Sequence, residues 1–146
     1  MMSNEEYYRK LENNYAAAPI NEFYKPVMCV SEGRSEIEID VTDKLFHAAG
    51  AVHGSVYFKM LDDAAFFAIH SYKQDAYYLT TTFTTYIIRP VSSGKLKSIG
   101  KVVNKSKSQC IAEAILYDSN GNEVGRGSGV FTRSTIKSSN SMGDRI

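Results

Sequence analysis

The sequence predicts an α+β fold in which an antiparallel sheet of five or six strands wraps around one long central helix. Two observations carry this prediction. Residues 52–72 are apolar on nearly every side of a helix, which is typical of a helix that is enclosed by the rest of the fold. Four strand-like runs then follow one another with only turn residues between them, which indicates antiparallel neighbours. Such a meander has one long helix to cover its apolar face, so we expect it to wrap around that helix.

The N-terminal part predicts one extra helix and two strands. Ser3 and Glu6 have the spacing of a capping box, so we expect a helix over about residues 4–18, ended by the proline that follows. Residues 27–30 and 35–42 are expected to be extended. The second of these runs alternates apolar and acidic side chains, which predicts a strand with one face in water.

The central helix is expected to begin near Val52 or His53 and to end near Tyr72. The strands behind it are expected at residues 77–88, 95–104, 109–117 and 123–132. An Asn-Gly pair before the last of them is a strong hairpin signal. The last strand carries three glycines on one face, and there we expect another group to approach the backbone closely: Gly125, Gly127 and Gly129.

Composition predicts a single globular domain over residues 1–134, followed by a polar, mobile tail at 135–146. The chain has 146 residues, of which 43% are hydrophobic and 23% charged, and its formal net charge is +1. This balance argues against electrostatic binding of nucleic acid or of an anionic membrane. The N-terminus lacks the pattern of a secretory signal and no apolar run reaches the ~18 residues of a membrane span, so we expect a cytoplasmic protein.

Cysteine and histidine usage predicts neither a disulfide framework nor a metal site. Cys29 and Cys110 are far apart and show no CxxC spacing, which favours reduced, buried thiols. The histidines have no third ligand in register. His70, near the end of the central helix, is expected at the surface or as a cap.

Two adjacent acids, Asp62 and Asp63, lie in the middle of the apolar helix, and this is where we expect chemistry. A carboxylate buried alone costs several kcal/mol, so each must be solvated, paired or protonated. Asp63 follows Lys59 by four residues, which predicts an ion pair along the helix. Without other information Asp62 could also be an acid that reaches solvent or pairs across a dimer.

The residues around the helix start resemble a known family. His53-Gly54-Ser55, followed nine positions after the histidine by Asp62, resembles the HGG(x)6-D signature of the hotdog-fold acyl-CoA thioesterases of the PaaI type, within the 4-hydroxybenzoyl-CoA thioesterase superfamily. The later segments YIIRPV, GKVVNKSKS and LYDSNGNEVGRGSGVFT resemble successive strands of that family. The resemblance covers about residues 35–133.

The resemblance implies hydrolysis of an acyl-CoA thioester without a cofactor. It also implies a homodimer whose two sheets join edge to edge, often paired again into a homotetramer, with the active site between subunits. The backbone N–H of Gly54 would polarise the thioester carbonyl. Asp62 would be either a general base toward water or a nucleophile; its neighbours Phe58 and Phe66 should raise its pKa by desolvation.

Other positions of the family pattern are kept or altered. His53 is expected to orient the helix start or to help polarise the carbonyl. His47 stands where many relatives have an asparagine that contacts the thioester or the water, and Ser55 replaces the second glycine, where it could stabilise the helix start or narrow the acyl pocket. Thr80 aligns approximately with a hydroxyl that some relatives place near the attacking water; a threonine favoured for its strand propensity is the simpler alternative.

Basic and hydroxyl groups of one turn match the part of the family that binds CoA. Lys105, Lys107 and Ser108 are expected to contact CoA, and Arg89 could meet its phosphates. An exposed basic hairpin without a ligand is the alternative.

Two other functions remain open from the sequence. Because His47 and Ser55 depart from the family pattern, a non-catalytic acyl-CoA-binding or regulatory protein with the same fold is possible. A hydratase or dehydratase of the hotdog class fits less well, because those enzymes carry a different arrangement of His and Asp or Glu.

Overall fold

The computed structural model describes residues 2–72 and 76–137. It contains three helices, a short 3-10 turn at Asp43–Leu45, and six strands. The helices are α1 (Asn4–Ala17), α2 (Asn21–Tyr24) and α3 (Gly54–His70), and the strands are β1 (Val27–Ser31), β2 (Arg34–Asp40), β3 (Ala76–Ile87), β4 (Lys95–Lys105), β5 (Gln109–Tyr117) and β6 (Glu123–Lys137). Among the described residues, none of the helices is long and apolar enough to span a membrane.

The capping box at the N-terminus is confirmed. The Ser3 side chain accepts a hydrogen bond from the Glu6 N–H at 3.1 Å and donates to the Glu6 carboxylate at 3.2 Å. α1 then buries Tyr8, Leu11 and Tyr15. The Tyr15 ring packs edge-on against Phe67 of α3 with 4.9 Å between centroids, so α1 covers one side of the central helix.

All six strands form one antiparallel sheet in the order β1-β2-β4-β5-β6-β3. β4, β5 and β6 are joined by hairpins, whereas β3 precedes them in the chain and pairs with β6. β1 and β3 are therefore the two edges of the sheet. The twelve residues of β3 form the longer of these edges.

α3 lies against one face of this sheet and contacts all six strands, and its backbone approaches the strands closely at one point. The buried Ser35 hydroxyl donates a 2.6 Å hydrogen bond to the Ala64 carbonyl oxygen. Gly100, which pairs with Ser35 across β2 and β4, faces the same turn of the helix, where a side chain would overlap the backbone of Ala64 and Ala65. The expected arrangement of a sheet wrapped around one helix is thus confirmed.

The glycine face of β6 is filled by an aromatic ring. A Cβ atom at Gly127 or Gly129 would collide with the ring of Phe83 and with the β3 backbone. The group that approaches this face closely is therefore Phe83 of the neighbouring strand.

Two expectations are wrong. Cys29 is exposed rather than buried, because burial alternates along β1 and Cys29 has the outward parity; Cys110 is buried as expected. The tail is predicted to begin at residue 135, but β6 continues to Lys137 and pairs there with Ala76. The first three residues of the predicted tail therefore belong to a strand. Residues 138–146, the rest of that predicted tail, lie outside the described residues.

Candidate active site

The start of α3 is organised by His53. Its imidazole Nδ1 accepts a hydrogen bond from the Ser55 N–H at 3.0 Å and lies 2.8 Å from the Ser55 hydroxyl, so His53 is the N-cap. The Val56 N–H bonds to the His53 carbonyl oxygen. The N–H of Gly54, the first helical residue, has no intrahelical acceptor available. This end of the helix therefore offers an N–H and a positive dipole to an anion.

Asp62 lies at the middle of α3 and contacts β3. The Thr80 hydroxyl donates a 2.8 Å hydrogen bond to the Asp62 carboxylate. Burial raises the pKa of Asp62 to about 6, and the neighbouring Asp63 contributes in the same direction, while Thr80 and Lys59 oppose the rise. A carboxylate with this pKa is ionised at neutral pH yet basic enough to take a proton.

Asp63 has a different set of partners. Its carboxylate accepts hydrogen bonds from Lys59 at 2.5 Å and from the Tyr15 hydroxyl of α1 at 2.6 Å. The Lys59 ammonium also lies 4.9 Å from the centre of the Tyr24 ring. The predicted ion pair is confirmed, and it joins the N-terminal helix to α3.

A β-bulge in β3 orients the residues that face Asp62. The register with β6 shifts between Thr80 and Thr82, and the intervening Thr81 directs its hydroxyl to Val130 and Thr132. The extra residue changes the parity of the strand, so both Thr80 and Phe83 face the central helix. Without the bulge only one of them could do so.

Aromatic side chains form a wall beside Asp62. Phe58, Asp62 and Phe66 lie at helical spacing on one face of α3. Phe58 packs edge-on against Phe83 with 5.7 Å between ring centroids, yet 42% of its surface remains exposed. The carboxylate thus stands between an apolar helix face and a strand at the open edge of the sheet.

His47 and His70 lie in different surroundings, and only His70 departs from its expected position. His47 is exposed and accepts the Ala49 N–H at Nδ1, within a turn closed by its own backbone bonds. His70 is not at the surface: it is only 2% exposed, and its ring stacks on Phe66 with 4.2 Å between centroids. The expectation for His70 is wrong because β3 and α1 cover the end of α3.

The expected CoA-contacting residues lie at two ends of the sheet. Lys105, Lys107 and Ser108 are in or beside the exposed turn between β4 and β5, which is held by Tyr78 of β3 through bonds to the Ser106 and Lys107 carbonyl oxygens. Arg89 follows β3 at the other end, where its carbonyl oxygen accepts the Tyr57 hydroxyl. The intervening β5 is about 27 Å long, so one subunit does not place these groups side by side.

Sequence reasoning did not identify Tyr15, Tyr78 or Phe83 as part of these surroundings. Tyr15 reaches Asp63 across 48 positions of the chain, and nothing local marks that contact. The parity of Phe83 depends on a bulge inside a run of threonines. In the described part of the chain, no group of three His, Cys, Asp or Glu residues is arranged to hold a metal ion.

Comparison with known proteins gives one family and a set of related structures. The family described as the thioesterase superfamily matches residues 49–125, more than half of the chain. This segment includes the start of α3, both carboxylates and strands β3 to β5. The search of curated proteins finds no match.

Solved structures resemble the chain over most of its length. The PaaI protein of the Escherichia coli phenylacetic acid degradation operon is 18% identical, with 90% of this chain and 98% of that chain covered and a TM-score of 0.79. A thioesterase family protein from Silicibacter pomeroyi is 21% identical, with 87% and 97% covered and a TM-score of 0.78. A thioesterase from Staphylococcus aureus is 14% identical, with 79% and 98% covered and a TM-score of 0.75. At these identities the likeness concerns the fold, and it confirms the expected hotdog architecture.

Proposed function

Because this chain belongs to the thioesterase superfamily, a family of thioester hydrolases, we propose that its substrate is an acyl-CoA and that Asp62 acts on the thioester. The observation that carries the proposal is the Asp62 carboxylate itself. It is half-buried beside Phe58, hydrogen-bonded to Thr80, and has its pKa raised to about 6. Asp63, one residue away, already has two partners and is left out of the chemistry.

The oxyanion donor is the N–H of Gly54, at the positive end of α3. His53 supports it by capping the Ser55 N–H, which leaves the Gly54 N–H directed out of the helix. Ser55, bonded to His53, lies beside this N–H and can contact the acyl group. His47 lies in the turn just before the helix, where its ring accepts the Ala49 N–H, and can contact the substrate from there.

The helix length argues for a site that is shared between subunits. Gly54 and Asp62 are eight residues apart on α3, which corresponds to about 12 Å along the helix axis. A carbonyl group must lie within about 3 Å of both the oxyanion donor and the attacking group. Gly54 of one subunit and Asp62 of another would therefore complete the site, as the edge-to-edge homodimer provides.

The unpaired edge of the sheet supports this homodimer. β3 is an edge strand of twelve residues, and Leu79, Tyr86 and Ile87 on it are 41%, 60% and 56% exposed. A long edge with exposed apolar side chains favours pairing with another strand. A second copy of β3 would cover it and would bring the two α3 helices next to each other. A homotetramer made of two such dimers is the expected complete assembly.

The reaction can follow either of two balanced routes. In the first, Asp62 takes a proton from water, the water oxygen bonds to the thioester carbon, the carbonyl electrons move onto oxygen, and the C–S bond then breaks to release CoA thiolate. In the second, a carboxylate oxygen of Asp62 bonds to the carbon, CoA leaves, and water hydrolyses the resulting anhydride. Thr80 holds the carboxylate in both.

The basic groups serve the nucleotide part of CoA. Lys105, Lys107 and Ser108 form an exposed turn that can contact phosphates with charge-assisted hydrogen bonds. Arg89 lies at the other end of the sheet. It would therefore meet the same CoA only if it belonged to the second subunit or if the extended ligand reached that end. This part of the proposal is tested by substrate truncation: removing the 3′-phosphate should raise KM and leave kcat little changed.

The test of the proposed function uses a panel of acyl-CoA substrates and detects released CoA with a thiol reagent. At pH 8, Asp62→Asn should lower kcat by at least about a hundredfold while the protein stays folded. Asp63→Asn is the matched control, because it removes the same charge one residue away; it should lower the free energy of unfolding through Tyr15 and Lys59 and keep kcat within a few-fold. Full activity of Asp62→Asn would contradict the proposal. Binding of acyl-CoA without release of CoA by the wild type would instead identify a non-catalytic binder.

A further inference from the structure

We propose that His70 is a positioning residue: it fixes the first part of β3 against α3 and thereby holds the Thr80 hydroxyl on Asp62. The proposal rests on the proposed role of Asp62. It also explains why a histidine is buried at the end of an apolar helix, a position at which an aliphatic side chain would fill space without any polar requirement.

Both nitrogens of the His70 ring have backbone partners. Nδ1 lies 2.9 Å from the carbonyl oxygen of Phe66, and Nε2 accepts the Tyr78 N–H at 3.1 Å. A carbonyl oxygen needs a donor and an N–H needs an acceptor, so the proton is on Nδ1 and the ring is neutral. Burial favours that neutral form and lowers the pKa of His70 to about 4.

β3 needs such an anchor because its own ladder is irregular there. The strand lies at the edge of the sheet, and its register with β6 shifts between Ala76 and Tyr78. The N–H that His70 accepts lies at this shift. Tyr78 also donates its hydroxyl to the Lys107 carbonyl oxygen at 2.8 Å, so the same residue connects α3 with the turn between β4 and β5.

The point at which His70 holds β3, the N–H of Tyr78, lies close to Thr80 in the same strand. Thr80 follows Tyr78 by two residues, and both side chains face the helix. α3 and β3 are therefore joined by two polar contacts, His70 to Tyr78 and Thr80 to Asp62. Phe66 lies between them on the helix and stacks on His70, which leaves the imidazole little room to move.

The other ionisable groups that face His70 and Asp62 come from α1, α3 and β3. The Tyr7 hydroxyl of α1 donates to the His70 carbonyl oxygen, and the rings of Tyr77 and Tyr78 lie 5.1 and 6.3 Å from the imidazole. Asp62 experiences Asp63 and Lys59 of its own helix and Thr80 of β3. The Thr80 bond lowers the pKa of Asp62, so loosening that bond must raise it.

A matched pair of variants separates the anchor from simple packing. In His70→Gln the introduced amide oxygen can take the place of Nε2, whereas His70→Asn keeps a donor for Phe66 but is too short to reach Tyr78. We expect His70→Asn to move the pKa of Asp62 upward by about one pH unit and His70→Gln to leave it near the wild-type value. The readout is the carboxyl ¹³C shift of Asp62 followed by NMR against pH, without substrate.

Coupling to Thr80 decides whether His70 acts through that residue. Thr80→Val should raise the pKa of Asp62 by a similar amount, and His70→Asn combined with Thr80→Val should add little more. At pH values below the pKa of Asp62, kcat/KM should fall about tenfold in His70→Asn and in Thr80→Val. The reason is that the ionised carboxylate is the active form, and its fraction falls when the pKa of Asp62 is raised. KM should change little.

Three results would overturn the proposal: an unchanged Asp62 titration in a folded His70→Asn protein, additive shifts in the double variant, or equal shifts in the two histidine variants. Should neither histidine variant fold, the wild type supplies the test through the ¹⁵N–¹⁵N coupling across the Tyr78-to-His70 hydrogen bond. That coupling must be present and must weaken in Thr80→Val; its absence or invariance contradicts the proposal. The NMR arm needs no turnover, so a failure of the proposed hydrolysis is distinguishable from a failure of this inference.

Discussion

At the scale of single residues, the two neighbouring carboxylates of α3 have opposite surroundings although they are adjacent in the chain. Asp63 is paired with Lys59 and Tyr15, whereas Asp62 has one neutral donor, Thr80, and an apolar wall. A salt bridge stabilises the ionised form of a carboxylate, while desolvation penalises it. Desolvation beside this wall raises the pKa of Asp62 and makes it the better candidate for proton transfer.

Gly54 allows a direct test of a backbone donor. Proline is favoured at the first position of a helix, and the preceding His53 already has the extended backbone that a residue before proline requires, with ψ of 144°. Gly54→Pro should therefore fold while lacking the N–H, and kcat should fall by about a hundredfold or more. The measurement is steady-state hydrolysis of acyl-CoA together with a thermal unfolding curve.

Gly54→Ala is the control for this experiment. It keeps the N–H, and its added Cβ meets only the flexible end of the Ile87 side chain. Its kcat should stay within a few-fold of the wild type. An equal loss of kcat in Gly54→Ala and Gly54→Pro would show that the shape of the turn, and not the N–H, is what matters.

At the scale of elements, the position of α3 on the sheet depends on a small contact at its centre. Ser35 bonds to the Ala64 carbonyl oxygen, and Gly100 leaves room for the same helical turn. Close approach of backbone to backbone requires small residues on both sides. The same helix carries both Gly54 and Asp62, so this contact sets the position of the whole candidate site relative to β3.

Gly100→Ala should disturb that contact. Its Cβ would overlap backbone atoms of Ala64 and Ala65, which cannot move aside as a side chain could, so we expect the free energy of unfolding to fall by about 2 kcal/mol or more. Urea denaturation measures this change. Ser128→Ala, on the exposed side of β6, is the control and should change stability by less than about 0.5 kcal/mol. If Gly100→Ala unfolds at the same urea concentration as the wild type, the helix does not pack as closely as described.

At the scale of the whole molecule, the roles proposed for Gly54 and Asp62 require a second subunit. The helix separates Gly54 from Asp62 by about 12 Å, and the sheet leaves β3 as an open apolar edge next to Asp62. If two copies pair through β3, the open edge is covered and Gly54 of one subunit can lie near Asp62 of the other. The assembly would then be a requirement of the chemistry and not only a source of stability.

Complementation of two inactive variants tests the shared site. In a mixed dimer of Gly54→Pro and Asp62→Asn, one site carries both changes and the other carries neither. Random mixing after co-refolding should therefore restore roughly a quarter of the wild-type activity, while each variant alone remains inactive. If the mixture stays inactive although mass spectrometry detects mixed dimers, the two groups act within one subunit.

The sequence by itself determined the long helices, the approximate positions of the strands and the chemistry available to them, but not the short helix α2 or the full length of β6. The capping box, the alternation in β2, the apolar length of α3 and the turns between the late strands are local patterns, and local patterns are readable because hydrogen bonding and side-chain parity repeat within an element. The ion pair of Lys59 with Asp63 is likewise a relation between residues one helical turn apart. The fold and the candidate carboxylates could be predicted for this reason.

Only the tertiary structure decided which groups face one another. The buried position of His70, the exposure of Cys29, the bond from Tyr15 to Asp63 and the parity of Phe83 all depend on contacts between distant segments or on one extra residue in a strand. Such contacts follow from packing and register, and a single bulge reverses every side chain beyond it. The sequence thus supplied the carboxylate and the helix start, and the packing of β3 on α3 determined what each of them touches.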